Sequence, residues 1–508
     1  MEREESRARK RPVLFHTRSP AARKDHIRGF SLSNLKWQRR TVERYDLIII
    51  GGGAAAFAAA TEADRLGIKT LMINAGLPIG GTCVNVGCVP SKHLLALGKG
   101  LYHPARPDFA GIGAVTPSFD FNRAMADKDA LVETLRRQNY QDVLAAFQHV
   151  DFVEGRGVLI DAHTVEAAGR KLTGDKILIA TGSSTKIPPF KGLAETGYLT
   201  HIEALALQRL PVSLLIFGAG FLALEFAQIF SRMGTRVTLV ARAPGILRIQ
   251  EKEISEALHH YLEEEGIEIV TKATVQQITR NSDGKQTTVA TPAGERRLVS
   301  EEILVATGVR GNIDGLGLER VGITTEDGDR IAVNEQLQTS VPHIYAAGDV
   351  TGRKQLETVA AKEGKIAVEN AFANANKTLD FSSIPYTVFT DPEVASVGIT
   401  ETEYMATYGT CTCRTIYLDR VPRAVAVNDT RGLLKMVAHH ETGQVMGVHI
   451  LAPCASEMIH EAVLAVKYGL TVDDLIDTVH IFPTYSEAIK IAAQAFRRDI
   501  GRMSCCVE

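Results

Sequence analysis

The sequence predicts an α/β chain, with two Rossmann-like dinucleotide-binding units followed by an α+β C-terminal segment. At residues 46–63 a short β-branched run passes directly into a glycine turn and an alanine-rich stretch, and the same order returns at residues 214–230. Strand, tight turn and helix in that order form the nucleotide-binding half of a doubly wound sheet. Length agrees, since 508 residues exceed what one hydrophobic core supports and suggest about three domains.

The first unit opens with Asp46-Leu47-Ile48-Ile49-Ile50, which reads as a buried parallel strand. It continues Gly51-Gly52-Gly53-Ala54-Ala55-Ala56, matching G-x-G-x-x-A at Gly51, Gly53 and Ala56. Such glycines let the backbone turn tightly and approach a pyrophosphate, which sits on the positive end of the following helix. The next strand, Thr70 to Ile73, ends at Asn74, where a ribose-binding acid is usual.

In the second unit, Leu214-Leu215-Ile216-Phe217 runs into Gly218-Ala219-Gly220-Phe221-Leu222-Ala223, placing Gly218, Gly220 and Ala223 at the fingerprint positions. Its following strand, Val237 to Val240, ends at Ala241-Arg242, with Arg248 shortly beyond. A carboxylate there favours NAD, whereas arginine pairs with a 2′-phosphate, so this site is expected to prefer NADPH. Two such units in one chain suggest a flavin at one and a nicotinamide at the other. Three further fragments, Ile179-Ala180-Thr181-Gly182, Val305-Ala306-Thr307-Gly308 and Ile344-Tyr345-Ala346-Ala347-Gly348-Asp349, are apolar strands that run into small-residue turns.

The expected division is a basic, disordered extension at 1–44, a first nucleotide domain at 45–190 completed by 316–384, and a second at 191–315. A C-terminal interface domain at 385–500 and a flexible tail at 501–508 complete the chain. The net charge of -2 argues against a general nucleic-acid binder. Seven cysteines in a chain this long make no disulfide scaffold and suit a reducing cytosol, so a cytoplasmic protein is expected. No stretch approaches the roughly 20 apolar residues that span a bilayer, and the basic start has no h-region of a secretory signal.

Between the first fingerprint and its continuation lies Gly81-Thr82-Cys83-Val84-Asn85-Val86-Gly87-Cys88-Val89-Pro90-Ser91-Lys92. Two cysteines five apart lie on roughly one helical face, and they close a disulfide only if the turn is distorted, which Gly87 permits. A thiolate beside a cation or a helix N-terminus becomes the reactive form. The chain ends Met503-Ser504-Cys505-Cys506-Val507-Glu508, a second thiol pair that reads as a grip for a soft metal or a disulfide exchanger. Cys411 and Cys413 are expected as surface or core thiols, and Cys454 as a packing residue.

With both fingerprints, the C-x4-C segment, the A-T-G turns and the G-D motif in hand, residues 45 to about 500 resemble the flavoprotein disulfide reductases. The resemblance implies FAD at the first unit, contacted by Thr82, Thr181, Gly182, Gly348 and Asp349, and NADPH at the second, with Gly308 nearby. It implies that Cys88 is the thiolate partner of the flavin, that Cys83 is the exchanging thiol, and that Lys92 and Glu225 pair beside the flavin. Phe221 stands where several relatives have a gating tyrosine.

The segment His480-Ile481-Phe482-Pro483-Thr484-Tyr485-Ser486-Glu487 departs from thiol-specific members of the family, which carry a histidine base immediately before that proline. Phe482 stands there instead. The block from Ala488 to Phe496, the terminal Cys505-Cys506 and Leu418 to Ala424 resemble the mercuric-ion-reducing branch. That resemblance implies a homodimer in which Cys505 and Cys506 of one subunit hand Hg(II), the substrate, to Cys83 and Cys88 of the other, with Tyr485 assisting at the inner site. It also implies an N-terminal C-x-x-C module in many relatives, for which residues 1–44 supply no cysteine. The rivals are a thiol-disulfide reductase of the dihydrolipoamide dehydrogenase type and a soft-metal binder without turnover.

Overall fold

The computed structural model describes residues 43–410 and 412–502. The basic extension up to residue 42, Cys411 and the terminal Cys505-Cys506 pair lie outside the described residues.

The first strand begins at Glu43, two residues before the expected Tyr45, because Glu43 and Arg44 extend its pairing with Leu172 and Thr173. It runs to Ile50 at the centre of a seven-stranded sheet ordered Val150–Glu154, Thr70–Asn74, Glu43–Ile50, Arg170–Ile179, Thr164–Ala167, Val158–Leu159, with Ile344–Ala346 also paired to Arg170–Ile179. The strand reads as an unbroken apolar run because both faces are covered: Ile48 and Ile50 enter one core cluster, Leu47 and Ile49 the other.

A second, four-stranded parallel sheet runs Glu268–Val270, Arg236–Val240, Ser213–Phe217, Glu302–Val305. The strand Ile344–Ala346 returns from beyond this unit to the first sheet, pairing in parallel at Ile344↔Ile177. A five-stranded antiparallel sheet, Tyr386–Val388, Glu393–Gly398, Val445–Ala452, Leu433–Ala438, Cys413–Tyr417, forms the C-terminal part, and its core is shared with the helices Ala455–Tyr468 and Glu487–Gln494.

The two nucleotide-type units repeat one steric device. Gly51 has φ +144°, and a Cβ on it would lie 2.1 Å from the carbonyl oxygen of Ala180; Gly218 has φ +130°, and its Cβ would lie 2.2 Å from the carbonyl oxygen of Ala306. In each unit the fingerprint glycine therefore abuts the A-T-G turn that ends the neighbouring strand, and only glycine fits. The A-T-G fragments are thus partners of the fingerprints, which explains their order along the chain.

A buried charge network joins segments far apart in sequence. Asp391 meets His103 at 2.7 Å, Arg232 at 2.9 Å and Lys99 at 3.4 Å, while Arg232 also grips Glu265 at 2.6 Å. Cys454, expected as a packing residue, is instead exposed. It caps the helix Ala455–Tyr468 from outside, while Ala455, Met458 and Ile459 fill the core beneath. Among the described residues, no helix is long and apolar enough to cross a membrane.

Candidate active site

A cavity of about 1210 Å³ opens along the carboxyl ends of the first sheet. Drug-sized pockets reach only about 1,000 Å³, so this one suits a dinucleotide. Its walls include Gly51, Gly53, Thr82, Thr181, Gly182, Gly348 and Asp349, all expected there from the sequence. Ala56 is fully buried beneath, as close packing of the fingerprint helix Ala54–Arg65 on the sheet requires. The first-turn N–H groups of that helix lack intrahelical partners and form a ready anion site. Asn74 lines the cavity too, but its amide donates to the Leu77 carbonyl at 3.0 Å and shapes the following loop. Asp349 accepts from Ser183 Oγ at 2.8 Å, and burial pushes its carboxyl above the usual range against that bond.

The thiol pair is tied to the fingerprint by a glycine-on-glycine contact. Gly80 N–H donates to the Gly52 carbonyl at 2.7 Å, and a Cβ on Gly81 would lie 2.7 Å from Gly53 Cα. From there the helix Gly81–Val86 carries Cys83, Gly87 breaks it, and the helix Cys88–Ala105 begins with Cys88. Both thiols are free and line the cavity. They are coupled: the hydrogen bond from Cys83 pulls Cys88 down, with Lys92 assisting, and the same bond together with burial pushes Cys83 up. The geometry therefore favours the thiolate on Cys88.

Lys92 Nζ meets the two Glu225 oxygens at 3.0 and 2.8 Å and lies 4.6 Å from the Phe389 ring centroid. Glu225 also accepts from Phe389 N–H at 3.0 Å, so its buried carboxylate is well satisfied. Phe221 stacks on Tyr386 at 5.3 Å.

In the second unit, Gly220 caps the helix Phe221–Arg232, Ala223 is fully buried, and a Cβ on Gly220 or Gly308 would meet open space. Leu247 N–H donates to the Ala219 carbonyl at 2.9 Å, drawing the loop that carries Arg242 and Arg248 onto the glycine turn. Both arginines are exposed, with no hydrogen-bond or ion-pair partner among the described residues. This donor set fits a 2′-phosphorylated dinucleotide.

Tyr485 does not line the cavity of its own chain; it packs against the C-terminal core. Tyr140 is a hydroxyl that sequence reasoning missed. It lies in a π-helical turn, Arg137–Gln141, with its ring edge-on to Phe57 at 4.9 Å. Burial pushes it up to about 12, with the charges of Cys83, Glu357 and Cys88 adding to the shift. No motif surrounds it, and only tertiary packing brings its ring against Gly80, three residues before Cys83.

Around Phe482 the surface is apolar: Val479 is 81 % exposed, Ile481 80 % and Phe482 52 %. His480 Nε2 lies 2.8 Å from Glu461 Oε1, and its Nδ1 lies 3.0 Å from the Thr478 carbonyl. Both partners are acceptors, an arrangement that favours the protonated ring. The Glu461 hydrogen bond raises its pKa accordingly. His480 is thus held between Glu461 and the Thr478 carbonyl.

Comparison with known proteins agrees with this architecture. A family model for pyridine nucleotide-disulphide oxidoreductases matches residues 45–364, and the dimerisation domain of the same family matches residues 384–493. The chain is 42 % identical over 468 residues to a mercuric reductase of Streptomyces lividans, spanning 91 % of this chain and 98 % of that one. It is 40 % identical over 464 residues to a mercuric reductase of Lysinibacillus sphaericus, spanning 91 % and 85 %. In three dimensions it is similar to the HOCl-induced flavoprotein disulfide reductase RclA from Escherichia coli, solved as a Cu(II) complex. The TM-score is 0.80 at 28 % identity, over 89 % of this chain and all of that one.

Proposed function

The chain belongs to the pyridine nucleotide-disulphide oxidoreductase family, and from that footing we propose that it reduces Hg(II) to Hg(0) with electrons from NADPH. The observation that carries this reading is a pair of adjacent free thiols on the cavity wall, in a chain with Phe482 where a thiol-exchanging enzyme needs its imidazole base. A very soft ion held by two thiolates needs no such base.

Gly51, Gly53, Ala56, Thr82, Thr181, Gly182, Gly348 and Asp349 would hold FAD; Gly218, Gly220, Ala223, Arg242, Arg248 and Gly308 would hold NADPH. Bound FAD would supply the two electrons that Hg(II) takes up, at the cost of one NADPH oxidised to NADP+. Cys83 and Cys88 receive the ion as two thiolates, each losing its proton to solvent. Lys92, fixed by Glu225, favours the Cys88 thiolate. Tyr140 supplies a hydroxyl beside the pair from the same chain; Tyr485 would act from the second subunit. The apolar surface at Val479, Ile481 and Phe482 supports a homodimer, on which Cys505 and Cys506 of the partner subunit would deliver the ion to Cys83 and Cys88.

The test is NADPH oxidation by the purified holoenzyme in excess thiol. Many equivalents of NADPH should be consumed only when Hg(II) is present. Stoichiometric mercury binding without NADPH consumption would leave a sequestering protein, and reduction of lipoamide-type disulfides at a rate exceeding Hg(II) turnover would favour the thiol-disulfide reading. A second expectation concerns the tail. Cys505→Ala with Cys506→Ala should cripple turnover of Hg(II) presented as a bulky thiol complex while leaving flavin reduction by NADPH intact; undiminished turnover would remove the relay.

A further inference from the structure

One carboxylate on the thiol cavity, Glu357, has been given no role so far. Glu357 opens the 17-residue helix Glu357–Ala373, is exposed, and lines the same cavity as Cys83 and Cys88. Other acidic and basic groups on the cavity wall are already engaged. Arg156 donates to the Asp314 carbonyl. Asp314 holds Arg310 at 2.5 Å, Glu203 accepts from the Thr200 backbone at 2.8 Å, and Asp349 accepts from Ser183 at 2.8 Å. Lys92, the cation nearest the pair, has its charge matched by Glu225 at 2.8 Å. Glu357 has no hydrogen-bond or ion-pair partner among the described residues.

We propose that Glu357 is a specificity-determining residue of the thiol pocket, a fixed negative charge that admits metal cations and repels anionic disulfides and anionic thiol complexes. The proposal rests on the mercury reading for its natural substrate but not for its physics. Glu357 shares the cavity wall with Cys83 and Cys88, and its charge adds to the upward shift of Tyr140. An unmatched carboxylate at that spot leaves the pocket negative before either thiol ionises. A cation is drawn in, and an anion meets a second barrier beyond the missing base. Anionic carriers such as a bis-glutathione mercury complex would then have to give up the ion at the tail, outside the pocket.

The test reads charge selectivity without mercury. NADPH-reduced holoenzyme is alkylated with iodoacetate (anionic) or iodoacetamide (neutral) at one pH, and modification of the Cys83–Cys88 peptide is timed by mass spectrometry. The ratio of the two rates cancels the thiolate fraction and isolates the field. Glu357→Gln should raise the iodoacetate/iodoacetamide ratio about threefold to fivefold at low salt, about fivefold being the factor for one unit charge at about 4 Å in water. Glu357→Asp should keep the ratio near the parent value, and 0.5 M KCl should shrink the difference between parent and Gln variant. A ratio that stays within twofold of the parent in Glu357→Gln overturns the proposal, whether or not the enzyme reduces Hg(II). A changed ratio in an enzyme that does not turn over Hg(II) leaves the charge assignment standing and removes only the substrate reading.

Discussion

A Cys88→Ala variant is expected to bind flavin as the parent does and to lose Hg(II)-dependent NADPH oxidation by at least about a thousandfold, near 4 kcal/mol of barrier. Cys88 is the member of the pair whose ionised form the structure favours, with Cys83 donating to it and Lys92 nearby. Removing it takes away one of the two thiolates that a two-coordinate soft ion requires. It also leaves Cys83 as a thiol pushed up by burial, with no partner thiolate to stabilise. The check is steady-state NADPH oxidation alongside the visible flavin spectrum. Activity within tenfold of the parent, with flavin content unchanged, would show that the reaction does not pass through this pair.

The largest effect on stability is expected at Asp391. Its side chain is 9 % exposed and Arg232 is 3 % exposed, so the network they form with Glu265 and His103 is desolvated. Asp391→Ala should cost about 3 kcal/mol, the lower end for breaking a buried ion pair, because Arg232 keeps its grip on Glu265. The pH dependence has a definite sign. Burial alone pushes the Asp391 carboxyl up, but His103, Arg232 and Lys99 together outweigh it and hold the group well below the usual carboxylate range. A carboxylate depressed in the folded state contributes stability above its unfolded value, about 3.9, and loses that contribution as pH falls toward the folded value. The gap between parent and variant should therefore be full at pH 7 and begin to narrow as pH falls below about 3.9. Guanidinium unfolding of the two proteins at pH 7 and pH 3 would reveal it; equal midpoints at pH 7 would mean that the network carries no net stability.

Much of the site was legible because its chemistry is local. The fingerprints at Gly51 and Gly218, the Cys83–Cys88 spacing and Arg242 beyond a strand end are short-range patterns. Each is imposed by a backbone turn or by the reach of a few residues. The A-T-G fragments were legible only as punctuation; their role emerged when Ala180 and Ala306 appeared against the two glycines. Cys454 was misread because a residue after proline at a helix start can face either way, and apolar pattern does not decide which.

By itself, the sequence determined the two nucleotide-type units, the spacing of the Cys83 and Cys88 thiols and the presence of Phe482 before Pro483, since all three are written in residue identity and spacing. Only the tertiary structure decided what surrounds the thiols. Tyr140 and Glu357 lie 52 and 269 positions beyond Cys88 in the numbering. Neither belongs to a motif, and the contacts of His480 with Glu461 and the Thr478 carbonyl were likewise not written in any local pattern. Local pattern fixes which groups a chain owns. The field at a reactive sulfur is summed over whatever the fold brings within a few ångströms, and separation along the chain does not encode that distance.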